Sequence, residues 1–148
     1  MNNNATDITA TQLLVEHGIR PSVQRLAIMQ YLLEHHTHPT ADVIYNDLQP
    51  EIPTLSRTTV YNTLQLLLAH NAVLALTIDS HTVHYDGTVQ PHAHFMCCCC
   101  GRIIDLPLDH GIPRNPFGDA KFKIEQIQVN YYGVCDECNK KSNEVVNN

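Results

Sequence analysis

All six cysteines of the chain fall in one region, as Cys97-Cys98-Cys99-Cys100 and Cys135-x-x-Cys138. In a reducing compartment, cysteines at this spacing serve as zinc ligands more often than as disulfides. Each C-x-x-C hook can bend to set two thiolates on one ion, and four thiolates make the closed tetrahedral shell of structural zinc. With no open coordination position, such a site staples a fold and does not catalyse. The four-cysteine run leaves the register ambiguous. The outer pair is favoured because Gly101 then follows the second ligand, which leaves Cys98 and Cys99 as small packing residues. The zinc set is therefore Cys97, Cys100, Cys135 and Cys138, with free buried thiols or a redox dithiol as the competing readings.

A second constellation is His92-x-His94, with Asp86 before it and Asp105 after it. Residues two apart on a strand point to the same side, so both imidazoles can face one ion. Carboxylates complete a mixed nitrogen and oxygen shell, which suits Fe(II), Mn(II) or Zn(II) rather than a soft metal. An isolated H-x-H is a weak signal, and it gains weight beside a four-thiolate set with two Asp in reach.

A third group could touch nucleic acid. Arg57, Thr58, Thr59, Tyr61 and Asn62 follow Ser56, a good helix N-cap, and present polar groups on the first turns of a helix. Asn can pair with adenine, and a Tyr edge or Thr methyl can pack on thymine methyls. Arg57, Thr59, Tyr61 and Asn62 are the candidate base and backbone contacts, with Arg20 and Arg25 on phosphates. The competing reading makes Tyr61 a core aromatic of its helix.

The elements that must position these groups follow from periodicity. Residues 8–17 read as a short helix stopped by Gly18, and 22–35 as a second helix capped by Ser22. Pro39-Thr40 opens a third with Val43, Ile44 and Leu48 on one face, and Pro50 and Pro53 end it. The fourth runs from Ser56 to about residue 70 on a stripe of Val60, Leu64, Leu67 and Leu68. Residues 73–78 and 82–85 flank Asp79-Ser80-His81 as a hairpin. Three helices and a hairpin make a winged helix, in which the last helix enters the major groove. Beyond a turn-rich hinge at 86–91, residues 93–97, 102–106 and 122–132 read as strands. A loop rich in Pro and Gly at 107–119 separates the last two, and the polar tail from Lys140 reads as frayed. The expected fold class is α+β: a winged-helix DNA-binding domain over 1–85, the hinge at 86–91, and a small metal-binding α/β domain over 92–148.

Bulk properties bound these readings. The chain has 148 residues, of which 43% are hydrophobic, enough for one ordinary domain or two small ones. No apolar run approaches the roughly 18–20 residues that span a bilayer. The start, Met1-Asn2-Asn3-Asn4, lacks a secretion signal, so the expected compartment is the cytoplasm and no membrane is involved. The net charge of −6 counts against a nucleic-acid binder, although docking needs only a few well-placed cations.

Four motifs occur in order: His38-Pro39-Thr40-Ala41-Asp42-x-x-Tyr45, Ser56-x-x-Thr59-Val60-Tyr61-Asn62-x-Leu64, His92-x-His94-x-x-Cys97-x-x-Cys100-Gly101, and Gly133-Val134-Cys135-x-x-Cys138. Together they resemble the ferric uptake regulator family of metal-responsive repressors, over roughly residues 8–141. The resemblance implies a homodimer on a palindromic double-stranded operator, a dimerising second domain, a structural Zn(II) on four cysteines and a regulatory Fe(II) or Mn(II) at the hinge. Carried over residue by residue, the regulatory ligands are His38, Asp86, His92, His94 and Asp105. Without the resemblance, His38 reads as a surface histidine before a proline.

Asp at both positions 86 and 105 resembles the peroxide-sensing branch, where Fe(II) and hydrogen peroxide oxidise a ligand imidazole and DNA is released; His38 and His92 are the residues so implicated. An iron- or zinc-homeostasis repressor is the alternative within the family. Outside it stand a zinc-stapled protein-interaction module and a small metal-dependent hydrolase on His92, His94 and Asp105. The resemblance implies no enzyme. Three features depart from the family pattern. Pro107, Pro113 and Pro116 oppose the helix usual after Asp105, residues 122–132 lack the histidines of a third metal site, and the four-cysteine run is unusual; His81, His84 and His110 have no assigned role and read as solvated surface.

Overall fold

Glycine and hydroxyl side chains set the bounds of the helices in the first part of the chain. Helix α1 (Asn3–Glu16) is followed by Gly18, whose φ of +74 lets the chain reverse. Helix α2 (Val23–Glu34) starts where Ser22 accepts the N–H of Arg25, and α3 (Ala41–Leu48) where Thr40 accepts that of Val43. Helix α4 (Arg57–Ala69) starts where Ser56 accepts the N–H of Thr59. Each cap satisfies a backbone donor that the helix cannot, and contributes about 1 kcal/mol. The computed structural model describes residues 3–109, 111, 118 and 121–146, with side chains from residue 9 to 145 of that set.

The chain divides into two units, Met1–Val89 and Gln90–Asn148. In the first, the apolar stripes of the helices meet in one core that includes Leu14, Ile28, Met29, Leu32, Ile44 and Leu64, each fully buried. The Tyr31 hydroxyl donates to Asp47, tying α2 to α3, and burial pushes its pKa up. Strands β1 (Leu74–Leu76) and β2 (His84–Asp86) then form an antiparallel hairpin that pairs Leu74 with Asp86 and Leu76 with His84. Four helices followed by this hairpin make the winged helix. Both strands are shorter than the expected 73–78 and 82–85, and β2 extends to Asp86.

The second unit is a three-stranded sheet in the order β4-β3-β5, followed by a helix. Strand β3 (Ala93–Cys97) lies in the middle, antiparallel to β4 (Ile103–Leu106) and parallel to β5 (Asn130–Gly133). Among the described residues, its buried hydrophobic side chains are only Ala93, Cys97 and Cys135. An apolar core of that size cannot hold such a sheet, and small domains in this position rely on metals, disulfides or a partner.

Two expectations fail here. The strand expected over 122–132 is realised only at Asn130–Gly133, with the pairing to β3 reaching one residue further back where the Val129 carbonyl accepts the His94 N–H at 3.0 Å. Alternation marks which side chains could share a face, but a strand also needs an edge to pair with. The tail expected to fray from Lys140 lies within helix α5 (Asp136–Val146), whose first turn carries Asp136 and Glu137 at the positive end of the helix dipole. Of the loop expected over 107–119, residues 107–109, 111 and 118 carry no helix or strand. The rest of it, including Pro113, Pro116 and His110, lies outside the described residues.

Gly87 follows Asp86 at the end of the wing, and a Cβ there would sit 2.9 Å from the backbone oxygen of Leu32 in α2. Gly87→Ala should therefore force β2 away from α2 and cost about 1–3 kcal/mol, the usual range for overpacking. Urea unfolding of the variant checks this, and an unchanged midpoint would refute the close approach.

Candidate metal centres and nucleic-acid face

The four sulfur ligands come from a strand end and a helix start. Cys97 closes β3, and residues 98–100 turn the chain back toward β4. The turn is fastened where the Gly101 N–H donates to the Cys97 carbonyl (2.9 Å) and the Cys97 N–H to the Arg102 carbonyl (2.9 Å). Gly101 sits at φ +75, a conformation other residues avoid, so the hook needs glycine at that position. Cys135 precedes α5, its carbonyl accepting the Asn139 N–H at 2.9 Å, and Cys138 lies in the first turn of the helix.

The Sγ atoms of Cys97, Cys100, Cys135 and Cys138 all lie within 4.8 Å of one another. Cys98 and Cys99 are exposed and stand outside that cluster. The backbone N–H groups of Cys100 and Cys135 hold the Cys97 thiol down to about 6, and the Cys135 N–H donates to Cys97 Sγ at 3.3 Å. Hydrogen bonding to the Cys135 sulfur, followed by burial, pushes Cys138 up to about 12. Clustered thiols thus resist collective ionisation until a cation joins them. Four sulfurs from two C-x-x-C hooks are the donor set that tetrahedral zinc takes, and the residues fit it.

In the same unit, His94 on β3 pairs directly with Asp105 on β4. Both His92 Nε2 and His94 Nε2 lie 3.2 Å from Asp105 Oδ1, and the two rings meet edge to face with centroids 4.4 Å apart. His92 Nδ1 donates to the Gln90 carbonyl (2.7 Å). That bond fixes the ring so that Nε2 is the atom turned toward Asp105.

The first unit holds the other expected pair. His38 Nε2 lies 3.5 Å from Asp86 Oδ2, and both side chains are buried. His38 is therefore not the solvated residue that a histidine before proline would suggest. Its φ of 56 is the left-handed region, disfavoured for a residue with a Cβ by about 1–2 kcal/mol. Asp86 Oδ1 accepts the Thr88 N–H at 2.9 Å, which orients the carboxylate.

His84 is a correction to the sequence reading, which placed it on the solvated surface. It is half-buried, with Nδ1 2.6 Å from the His38 carbonyl and Nε2 3.1 Å from Asp79 Oδ2. The available signal was strand periodicity, since His84 shares a face of β2 with Asp86 two residues on. His81 is exposed, as expected.

Four of the six candidate DNA contacts, Arg20, Arg25, Thr59 and Asn62, line one open cleft of about 560 Å³ between the start of α2 and α4. Tyr61 is 49% exposed and so is not a core aromatic. It lines a separate cleft with the hairpin residues His81, Thr82 and Val83. Arg57 stands apart from both: its guanidinium pairs with Asp42 of α3 and lies 4.6 Å above the Tyr45 ring. Asp42 and Tyr45 were not anticipated as its partners.

Over residues 16–132 the chain matches the sequence profile of the Ferric uptake regulator family. The Peroxide-responsive repressor PerR of Staphylococcus aureus is 38% identical over 130 residues, which cover 86% of this chain and 88% of that one. The solved structure of PerR from Streptococcus pyogenes, described as a basis for peroxide sensing and gene regulation, is 33% identical with a TM-score of 0.51 and covers 90% of this chain and 92% of its own. The ferric uptake regulator Fur of Helicobacter pylori, with three functional metal-binding sites, shares the fold at 19% identity and a TM-score of 0.66, covering 92% and 93%. With a family profile matched over most of its length and a relative this similar across 86% of it, the chain belongs to the ferric uptake regulator family.

Proposed function

We propose that this chain is a metal-dependent transcriptional repressor that releases DNA in response to peroxide. One observation carries the reading: each unit holds an incomplete nitrogen and oxygen ligand set. His38 and Asp86 meet in the first, and His92, His94 and Asp105 meet in the second. Neither set alone supplies the roughly six donors that Fe(II) or Mn(II) takes, and together they approach it. One ion shared by both sets would fix the angle between the winged helix (1–85) and the second domain (92–148) across a hinge at 86–91.

In a homodimer that angle sets the distance between two α4 helices. The distance must match half-sites of a palindromic operator about one helical turn, or a multiple, apart. The exposed apolar side chains Phe122, Ile124, Ile127, Tyr131, Tyr132 and Val134 of the second unit provide a surface for the second copy. Arg20 and Arg25 would hold phosphates, and Thr59, Tyr61, Asn62 and Arg57 would meet the groove. Among the described residues, no helix is long and apolar enough to cross a membrane. Free thiols suit the reducing cytoplasm as the place of action.

The four thiolates would hold Zn(II) permanently and supplement the few buried apolar side chains among the second unit's described residues. Fe(II), when bound, supplies the one-electron reduction of hydrogen peroxide beside its ligands. His38 and His92 are the imidazoles proposed to be oxidised. Their part is to hold the ion through a ring nitrogen, and an oxidised ring no longer offers that lone pair.

Three tests follow. Duplexes selected from a random pool in the presence of Mn(II) should be shifted on a gel only with Mn(II) or Fe(II) present. His38→Ala should abolish that dependence, and a shift indifferent to metal would remove the repressor mechanism. Peroxide treatment of the Fe(II) form should add one oxygen to a His38 or His92 peptide by mass spectrometry; oxidation confined to cysteine would leave an iron- or zinc-homeostasis repressor instead. Zinc content should persist at one per chain in Cys98→Ser and Cys99→Ser and be lost in Cys135→Ser, with the second unit unfolding. Zinc lost from Cys98→Ser or Cys99→Ser would mean the hook uses another register.

A further inference from the structure

We propose that His84, itself held by Asp79, is a positioning residue that sets His38 in place for metal binding. The inference rests on His38 being a regulatory ligand, as proposed above, and adds residues that the ligand set does not contain.

Strand β2 grips the His38 segment at two successive carbonyls. His84 Nδ1 approaches the His38 oxygen at 2.6 Å, and the Tyr85 N–H donates to the Pro39 oxygen at 2.9 Å. His84 and Asp86, two apart, lie on the same face of the strand. One of them holds the backbone of His38, and the other lies 3.5 Å from its ring. His38 needs this support. It is a non-glycine residue at φ 56 and it precedes a proline, and a conformation so disfavoured persists only where its surroundings over-determine it.

The His84 ring is fixed from behind. Its Nε2 lies 3.1 Å from Asp79 Oδ2, and Asp79 Oδ1 accepts the His81 N–H at 2.9 Å in the turn of the hairpin. The His81 N–H and the His84 ring hold the Asp79 carboxyl below the usual carboxylate range, so it acts as an acceptor. Nδ1 meets a backbone carbonyl and Nε2 a carboxylate, so both ring nitrogens have a partner that holds the ring's orientation. Both side chains are 16% exposed, shielded enough for these bonds to hold an orientation. A hydrogen-bonded line runs from the hairpin turn through His84 to the backbone of His38.

Outer partners of this kind typically change metal affinity about 10–100-fold. The zinc-loaded full chain is titrated with Mn(II), and the free ion is counted by electron paramagnetic resonance. His84→Leu should weaken Mn(II) binding about tenfold or more, with zinc content and melting temperature unmoved. His84→Asn should recover most of the loss, because its amide N–H stands near the position of Nδ1. Asp79→Ala should weaken binding in the same direction and add nothing in the His84→Leu background. The proposal is overturned if His84→Leu binds Mn(II) as the wild type does while His38→Ala does not. It is also overturned if His84→Asn is as impaired as His84→Leu. If His38→Ala itself keeps wild-type Mn(II) affinity, the ligand assignment of His38 fails first, a result separable from both.

Discussion

The register of β3 governs both candidate centres. This five-residue strand ends in Cys97 and carries His94, and it is paired on both sides. Opposite His94 stands Asp105 on one neighbour, and opposite Cys97 stands Gly133 on the other, two residues before Cys135. A slip of one residue would turn His94 to the opposite face from Asp105 and swing the first sulfur away from the second hook. The strand is too short, and the described residues of its unit too poor in buried apolar side chains, for packing alone to forbid that slip. Four sulfurs drawn to one ion would forbid it. The zinc proposed at one end of β3 thus protects the geometry of the histidines at the other, and a site without chemistry of its own becomes a precondition for the site that responds.

The two ligand sets are prepared differently. In the second unit the preparation is regular structure: a cross-strand pair brings His94 to Asp105, and a carbonyl at Gln90 orients His92. In the first it is strain held by a clamp. His38 occupies a backbone conformation it would not choose, and β2 keeps it there while also presenting Asp86. Pre-organisation lowers what ordering costs at the moment of binding. It also makes the first unit's ligands sensitive to anything that loosens the hairpin, which the sheet-borne ligands of the second unit are not.

Much of this was legible in the sequence because the signals were local. Ser22, Thr40 and Ser56 announce their helices within three residues, and the C-x-x-C hooks and His92-x-His94 carry their geometry in their spacing. The rest depended on partners far along the chain. Residues 122–129 alternate as a strand does, yet the strand itself forms only over 130–133. The tail from Lys140 is too polar to look like a packed helix, and it is nevertheless helical from Asp136, where the hook gives it a fixed start. His84 looked idle because its partner is a carbonyl 46 positions earlier, which no side-chain motif can advertise. Arg57 looked available because its counter-ion, Asp42, sits on another helix.

That last contact bears on how a chain with a net charge of −6 can be a switchable DNA binder. Phosphate contacts give affinity that is independent of sequence, and each one adds to it. Here the cations at the helical face are few, and one of them already faces a carboxylate and an aromatic ring. A protein with many basic contacts would stay on DNA whatever the spacing of its two heads, and an ion that resets the spacing would change little. With a small electrostatic contribution, most of the binding free energy must come from both heads seating correctly at once. Losing the ion then removes the part of the affinity that matters, because each head alone is a weak binder. The acidic balance that argued against a nucleic-acid partner is, on this view, what makes the metal decisive.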